Sequence, residues 1–531
     1  MEVKPSFSEF ELMAKQGNLI PVFQEFLGDT DTSVSAYLKI SDKSFSYLLE
    51  SADSGTKWGR YSFIGYKPYL TVIFRGNGAE IWRGKRRNVL SNVSNPLHVL
   101  RGLHEEFRLV TMDHLAPFQG GLVGYFNYDL VRKWEHLPGI SLEHPDIPES
   151  IFTVSRRLII FDHLSHHIKV VVFAHLPREK DLMEAYTQAC QEVKEIMDDL
   201  HCPLSGISSE GEEISLSELE ANISREDFEH AVKKAKGYIA NGDVIQVVLS
   251  QKFSGYVFGD DFILYRNLRS INPSPYMFYL NFGNIRLIGS SPEILVRLTN
   301  RKIELRPIAG TRPRGKTPEE DLKLEKELMA DPKERAEHIM LVDLGRNDVG
   351  KTAMPGSVTV PRLMDVERYS HVMHMVSSVE GELKQEMDVF DLFVSVFPAG
   401  TVTGAPKIRA MEIISELEPS PRGPYAGAVG YFAFNGNMDF CITIRTIAII
   451  RNRVSIQVGA GIVYDSSPVL EYKETLRKAA AMLKALEKAS NTGRSCATHC
   501  SEHGNALPHS STNQTLRIWR ERRPTHDSDD R

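Results

Sequence analysis

The sequence predicts an α+β fold with largely antiparallel strands, and three features predict it. Short β-rich runs come in pairs around tight turns, helix-spaced segments fall between those pairs, and no strand–helix–strand alternation of the doubly wound kind runs through the chain. With 531 residues, 42% of them hydrophobic, the chain can bury a large core, either as roughly two to four domains or as one interlocked body.

Each element has a local reason. "YLTVIFR" and "AEIWR" flank Gly76-Asn77-Gly78, and "RLIIFD" and "HIKVVVFAH" flank a short polar turn, so both pairs read as hairpins. "PLHVLRGLHEEF" and "EKDLMEAYTQACQEVKEIMDDL" carry apolar residues at helical spacing. The second runs into "HCPLSGISSEGEEISLSE", a Ser/Gly/Glu-rich stretch without period, which marks a boundary between an N-terminal region, 1–210, and a second region, 211–489. The second region restarts with "SREDFEHAVKKAKGYIANGD", where Ser224 and Asp227 have capping-box spacing, and continues into the strand "VIQVVLSQKF". Residues 490–531 are rich in Ser, Thr, His and Arg and poor in aliphatics, the composition of a disordered tail.

Composition narrows the function. A formal charge of −6 gives no general attraction to nucleic acid, so local arginine clusters call for a small anion such as a carboxylate or phosphate. Five cysteines at irregular spacing make no disulfide framework and fit a reducing cytoplasm. The N-terminus has acidic residues where a signal peptide needs an apolar core, and no apolar run reaches membrane-spanning length.

Several stretches carry candidate chemistry. "LRPIAGTRPRG", residues 305–315, is a stiff basic loop after an apparent strand. "DPKERAEHIMLVDLG" opens with Asp331 as N-cap and Pro332 at N1, and "SPVLEYKETLRKAAAMLKAL" opens likewise with Ser467 and Pro468. Each helix places two carboxylates three residues apart, Glu334 with Glu337 and Glu471 with Glu474, on one face near its N-terminus. Four convergent carboxylates suit a hard ion such as Mg²⁺; equally, Glu334 suits a capping box with Asp331 and Glu474 an i,i+4 pair with Lys478. "GRNDVGKT" spells the phosphate-loop pattern, but it follows a helix and precedes "AMPGSVTVP", the reverse of the required context. "VGAGIVYD" places Gly459, Ala460 and Gly461 where backbone N–H groups can approach an anion, or where strands simply pack tightly. Arg445 in "DFCITIRT" is open to either face of its strand, and His371 and His374 in "YSHVMHMV" are either structural or functional. Cys496, His499, Cys500 and His503 in the tail have zinc-like spacing but no second half.

Taken together, these stretches resemble the chorismate-utilising enzymes, and among them the large subunits of anthranilate synthase. The resemblance covers about nine-tenths of the chain, through "LLESA", "GRYSFIGYKP", "GGLVGYFNYDLVR", "NPSPYMFYL", "SSPEILV", "PIAGTRPRG", "ERAEHIMLVDLGRND", "YSHVMHMVSSVEG", "FPAGTVTGAPKIRAMEII", "GPYAGAVGYF", "GAGIVYDS" and "EYKETLRKA". It implies a layered α/β/β/α core with two orthogonally packed sheets. The reaction implied is addition of ammonia to chorismate with loss of the ring hydroxyl, then elimination of pyruvate to give anthranilate, the first step of tryptophan biosynthesis. It implies substrate contacts at Gly310, Thr311, Tyr425, Arg445, Gly459, Ala460 and Gly461, and Mg²⁺ ligands Glu337 and Glu474 supported by Glu334 and Glu471. Catalytic roles fall on Glu293 as the acid for the departing hydroxyl, His374 in proton transfer during elimination, and the hydroxyl of Thr401.

Two positions separate this chain from similar enzymes. Aminodeoxychorismate synthases commonly carry a nucleophilic lysine where Ala309 stands, and isochorismate and salicylate synthases a water-activating lysine where Gln246 stands. Ser51, Pro275, Tyr276 and Met277 match the family's inhibitory L-tryptophan site. No cysteine has the setting of a glutaminase nucleophile, so the resemblance implies a separate glutamine amidotransferase subunit, in a heterotetramer. Lys351 and Thr352 depart from the family pattern.

Overall fold

The fold, obtained as a computed structural model, is described for residues 2–40, 43–51, 59–112, 115–138, 147–177, 181–204, 214–368 and 372–491. The tail from residue 492 on with its Cys/His cluster, His371 and the proposed boundary at residue 210 lie outside them.

Two long strands decide the architecture. Tyr61–Arg75 and Ser150–Asp162 pair antiparallel along their length, from Tyr61 opposite Asp162 to Phe74 opposite Ser150. At one end they are flanked by Ser46–Glu50 and His167–His175, and at the other by Gly78–Arg83 and Gly121–Phe126. The pair therefore belongs to two sheets at once, the corner by which orthogonally packed sheets are joined. The first sheet runs outward through Ser46–Glu50, Tyr276–Asn281, Ile285–Ser291, Thr446–Ile450, Arg453–Ile462 and Gln246–Phe258. The second runs through Gly121–Phe126, Ala428–Ala433, Met438–Ile442, Ile294–Thr299, Lys302–Leu305 and Val372–Glu382. Each sheet is built from both sides of residue 210, joined where Ser46–Glu50 pairs with Tyr276–Asn281 and where Gly121–Phe126 pairs with Ala428–Ala433.

Side-chain alternation shows the layers. In the first sheet Phe278, Leu280, Leu287 and Ala448 join the core between the sheets, whereas Met277, Tyr279, Ile288 and Ile447 face a second core under the helices Leu182–His201, Phe262–Ile271 and Pro468–Asn491. The helices Pro96–Glu105 and Val389–Val396 cover the other sheet. The order is helix, sheet, sheet, helix, as the resemblance implies.

The local predictions fare unevenly. Both hairpins form, and Asp331 caps the helix Pro332–Gly350 by accepting from the N–H groups of Lys333 and Glu334. Ser224 caps Arg225–Ala240, but closes the box through its hydroxyl, which donates to the Asp227 carboxylate. The predicted loop at 305–315 is instead largely strand: Ile308–Pro313 pairs with Val372–Glu382, with a register shift between Ala309 and Thr311 where Gly310 takes φ +72°. "GRNDVG" is the end of a helix, which removes the phosphate-loop reading.

Candidate active site

At the sheet ends far from the crossing pair, strands and helix N-termini enclose a cavity of about 240 Å³. The first sheet contributes Gln246, Val248, Gly459 and Gly461, the second Ala309, Thr311 and His374, and the connections Glu293, Thr401, Tyr425 and Arg445. Glu337 and Lys478 reach it from the helices Pro332–Gly350 and Pro468–Asn491. Most of the sequence-predicted substrate and catalytic residues are thus brought together.

The glycines explain their positions. The N–H of Val248 donates to the Thr403 carbonyl and that of Ser250 to Glu418, both away from the neighbouring strand Arg453–Ile462. Their partners in register, Gly461 and Gly459, must therefore turn their N–H groups to the opposite, open edge. A Cβ on Gly461 would come 2.5 Å from Gln246 Nε2, and one on Gly459 2.4 Å from the Tyr425 hydroxyl. Ala460 is not brought to the cavity: its side chain packs in the core under Arg225–Ala240, and opposite Leu249 its backbone groups belong to the ladder.

Charge in the cavity is unevenly matched. Burial pushes Glu293 up to about 7, with Thr401 and Lys478 pulling the other way. The Thr401 hydroxyl, though buried beside it, makes no hydrogen bond of good geometry. Arg445 lies not in a strand but between two, at φ +51°. Burial lowers its affinity for its proton, and no carboxylate among the described residues forms an ion pair with it. Lys478 Nζ donates to the Gly459 carbonyl at 3.0 Å and stands 3.7 Å from Glu474. His374 Nδ1 lies 3.0 Å from the Thr311 hydroxyl and 3.3 Å from the Gly310 carbonyl, and burial lowers its pKa.

The arginines of the basic stretch are held by their own chain: Arg306 by Glu367, Arg312 by Asp331 and Glu334, and Arg314 by Asp321. They shape the strand. The two acidic pairs approach from facing helices, since Lys333 acts on Glu471 and Lys478 on Glu337. Burial raises Glu337 and Glu471, and the neighbours Glu334 and Glu474 add to it. Hard oxygen donors strained by mutual repulsion fit a divalent cation. Among the described residues, however, no three His, Cys, Asp or Glu side chains stand close enough to hold a metal ion.

A second cavity of about 200 Å³ is lined by Ser51, Pro275, Tyr276 and Met277 with Tyr61, Phe63, Tyr431 and Asp439. Ser51 Oγ is buried there without a hydrogen-bond partner among the described residues. The two cavities are close along the chain: Tyr276 pairs with Ser291, whose hydroxyl donates to the Ile442 carbonyl at 2.7 Å, and the Ile442 N–H donates to the Glu293 carbonyl at 3.0 Å. Sequence reasoning missed Gln457, a strand residue with no motif signal, and gave Lys478 only an ion-pairing role.

These features recur in known proteins. The chorismate binding enzyme family matches residues 47–484. Anthranilate synthase component 1 of Acetivibrio thermocellus is 46% identical over 492 residues, covering 91% of this chain and 99% of the relative. That of Synechocystis is 46% identical over 510 residues, covering 92% and 100%. The crystal structure of anthranilate synthase component I from Streptococcus pneumoniae superposes with a TM-score of 0.70 at 35% identity, covering 86% of this chain and 98% of that one. The menaquinone-specific isochorismate synthase of Escherichia coli, at 18% identity and a TM-score of 0.67, shares the fold. The family match over residues 47–484 and these relatives show that the chain belongs to the chorismate binding enzyme family. Within it, the chain groups with the anthranilate synthase component 1 proteins, lyases of tryptophan biosynthesis. No helix among the described residues is long and apolar enough to cross a membrane.

Proposed function

We propose that this chain converts chorismate and ammonia to anthranilate, pyruvate and water. The observation that carries the reading is Glu293, a carboxyl that holds its proton near neutrality in a cavity it shares with Arg445, which has no ion pair among the described residues, and an open glycine edge. Arg445 and the N–H groups of Gly459 and Gly461 bind and orient a carboxylate-bearing ring. A carbon–nitrogen bond forms as the ring hydroxyl leaves, and the Glu293 proton departs with it as water. The proton on the amine-bearing carbon is then removed, the bond to the enolpyruvyl oxygen breaks, and the ring becomes aromatic as pyruvate is released. His374, oriented by Thr311 and the Gly310 carbonyl and kept neutral by burial, is suited to moving that proton. Ala309 and Gln246 supply neither a nucleophilic amine nor a base for water, which favours external ammonia.

Glu337 and Glu474, with Glu334 and Glu471, are the residues that would hold Mg²⁺. When bound, the ion neutralises substrate carboxylate charge. A partner amidotransferase supplies ammonia from glutamine, and L-tryptophan inhibits through the second cavity. The Tyr276–Ser291–Ile442–Glu293 contacts support such coupling, provided tryptophan binds the two arrangements unequally. A cytoplasmic setting fits the free thiols of Cys190, Cys202 and Cys441.

The test is purified chain with chorismate, Mg²⁺ and an ammonium salt, followed by anthranilate fluorescence. Product is expected, is lost with a chelator, and does not form from glutamine until the partner is added. Fluorescence undiminished without metal would contradict the carboxylate roles.

A further inference from the structure

Behind Tyr425 and Gln457, which it shares with the active-site cavity, lies a smaller space of about 30 Å³, room for a molecule the size of water. Two buried polar atoms of its lining residues have no hydrogen-bond partner among the described residues, Gln457 Oε1 and Thr443 Oγ1, and their residues are 7% and 1% exposed. An orphaned buried acceptor is costly enough to call for an occupant.

The orientation of the Gln457 amide is enforced. Ser250 Oγ donates its only proton to Glu418 at 2.8 Å, so it can only accept from Gln457 Nε2, also at 2.8 Å. The amide carbonyl is left to the cavity side. Glu418 is fixed in turn by Arg422, which also donates to the Val248 and Val402 carbonyls. Lys252 and Arg422 line the space as cations. Glu418 is matched by Arg422, and Asp129 accepts from the Gly423 N–H at 2.9 Å. Lys252 on the wall disfavours a second cation beside it, and two oxygen acceptors favour a small neutral molecule with several N–H donors.

We propose that this space is the waiting site of the nucleophile: neutral ammonia, hydrogen-bonded to Gln457 Oε1 and Thr443 Oγ1, poised beside the ring-binding cavity. The proposal rests on the function proposed above and names where its second substrate binds.

Steady-state kinetics of the full chain test it, with ammonium chloride varied at saturating chorismate and the reverse. Gln457→Leu and Thr443→Val each remove one acceptor, and Ala448→Val fills the space from another wall. Gln457→Leu and Thr443→Val are each expected to raise the KM for ammonium about five- to tenfold, the value of one lost hydrogen bond, and Ala448→Val to raise it by occupying the space, with the KM for chorismate unchanged in all three. Thermal unfolding identifies any variant that fails to fold, and the other two still decide. A folded set that keeps the wild-type ammonium KM, the result if only water occupies the space, overturns the proposal. So does a rise in the chorismate KM alone. If the wild type makes no anthranilate at all, the proposed function falls and this site with it; if it does and the variants match it, this site alone falls.

Discussion

Replacing Glu293 by glutamine separates the chemistry of the site from its stability. The carboxyl is held at about 7 by burial, against 4.5 for an ordinary glutamate. Because the folded-state value is raised, the folded protein binds this proton more tightly than the unfolded chain, and the advantage is complete below 4.5 and lost as pH rises toward 7. The rise from 4.5 to about 7 corresponds to roughly 3–4 kcal/mol, at about 1.4 kcal/mol for each tenfold change in proton affinity. Glutamine keeps the shape without the charge, so Glu293→Gln is expected to be more stable than wild type at pH 8 and equal to it near pH 4. Urea unfolding across that range measures the difference. Turnover with ammonium and chorismate should fall roughly 10²–10⁴-fold, the usual worth of a general acid, and wild-type activity at fixed free ammonia should decline above pH 7. A variant that keeps its turnover, or whose stability tracks wild type at every pH, refutes both the acid role and its physical origin.

The remaining predictions concern binding and space. Arg445→Gln should raise the KM for chorismate about 10- to 100-fold, since charge-assisted hydrogen bonds to a carboxylate are lost, with the ammonium KM little affected. Gly461→Ala forces a methyl to within 2.5 Å of Gln246 Nε2 and should cost about tenfold or more in kcat/KM; Gly350→Ala, with open space around it, should keep wild-type activity. Ser51→Phe should fill the second cavity and abolish inhibition by L-tryptophan while leaving the uninhibited rate intact, as measured by dose–response of anthranilate formation; unaltered inhibition counts against that cavity as the regulatory site.

Legibility differed by the range of the interactions involved. Asp331 with Pro332 announces its helix because cap and first turn are neighbours in sequence, and Gly76-Asn77-Gly78 announces its hairpin for the same reason. The strand Ile308–Pro313 was hidden by its prolines and glycines, since what makes it a strand is a partner some sixty residues away, with Thr311 opposite His374. Arg445 was read as a strand residue, and only the break between Met438–Ile442 and Thr446–Ile450 shows how its backbone aims it. The site residues that carry motifs were readable by resemblance. Gln457 was not, because its meaning comes from Ser250 and Glu418, which hold its amide one way round.

The strands that run through both sheets have a consequence for how the molecule comes into being. Ser46–Glu50 has Tyr61–Arg75 on one side early but finds its second partner only when Tyr276–Asn281 has been made, and the other edge of Gly121–Phe126 waits for Ala428–Ala433, some three hundred residues later. During synthesis the early half therefore leaves the ribosome with bare sheet edges and unsated apolar faces, and must be shielded until nearly the whole polypeptide has emerged. Expression of either half by itself should yield aggregate rather than a working fragment.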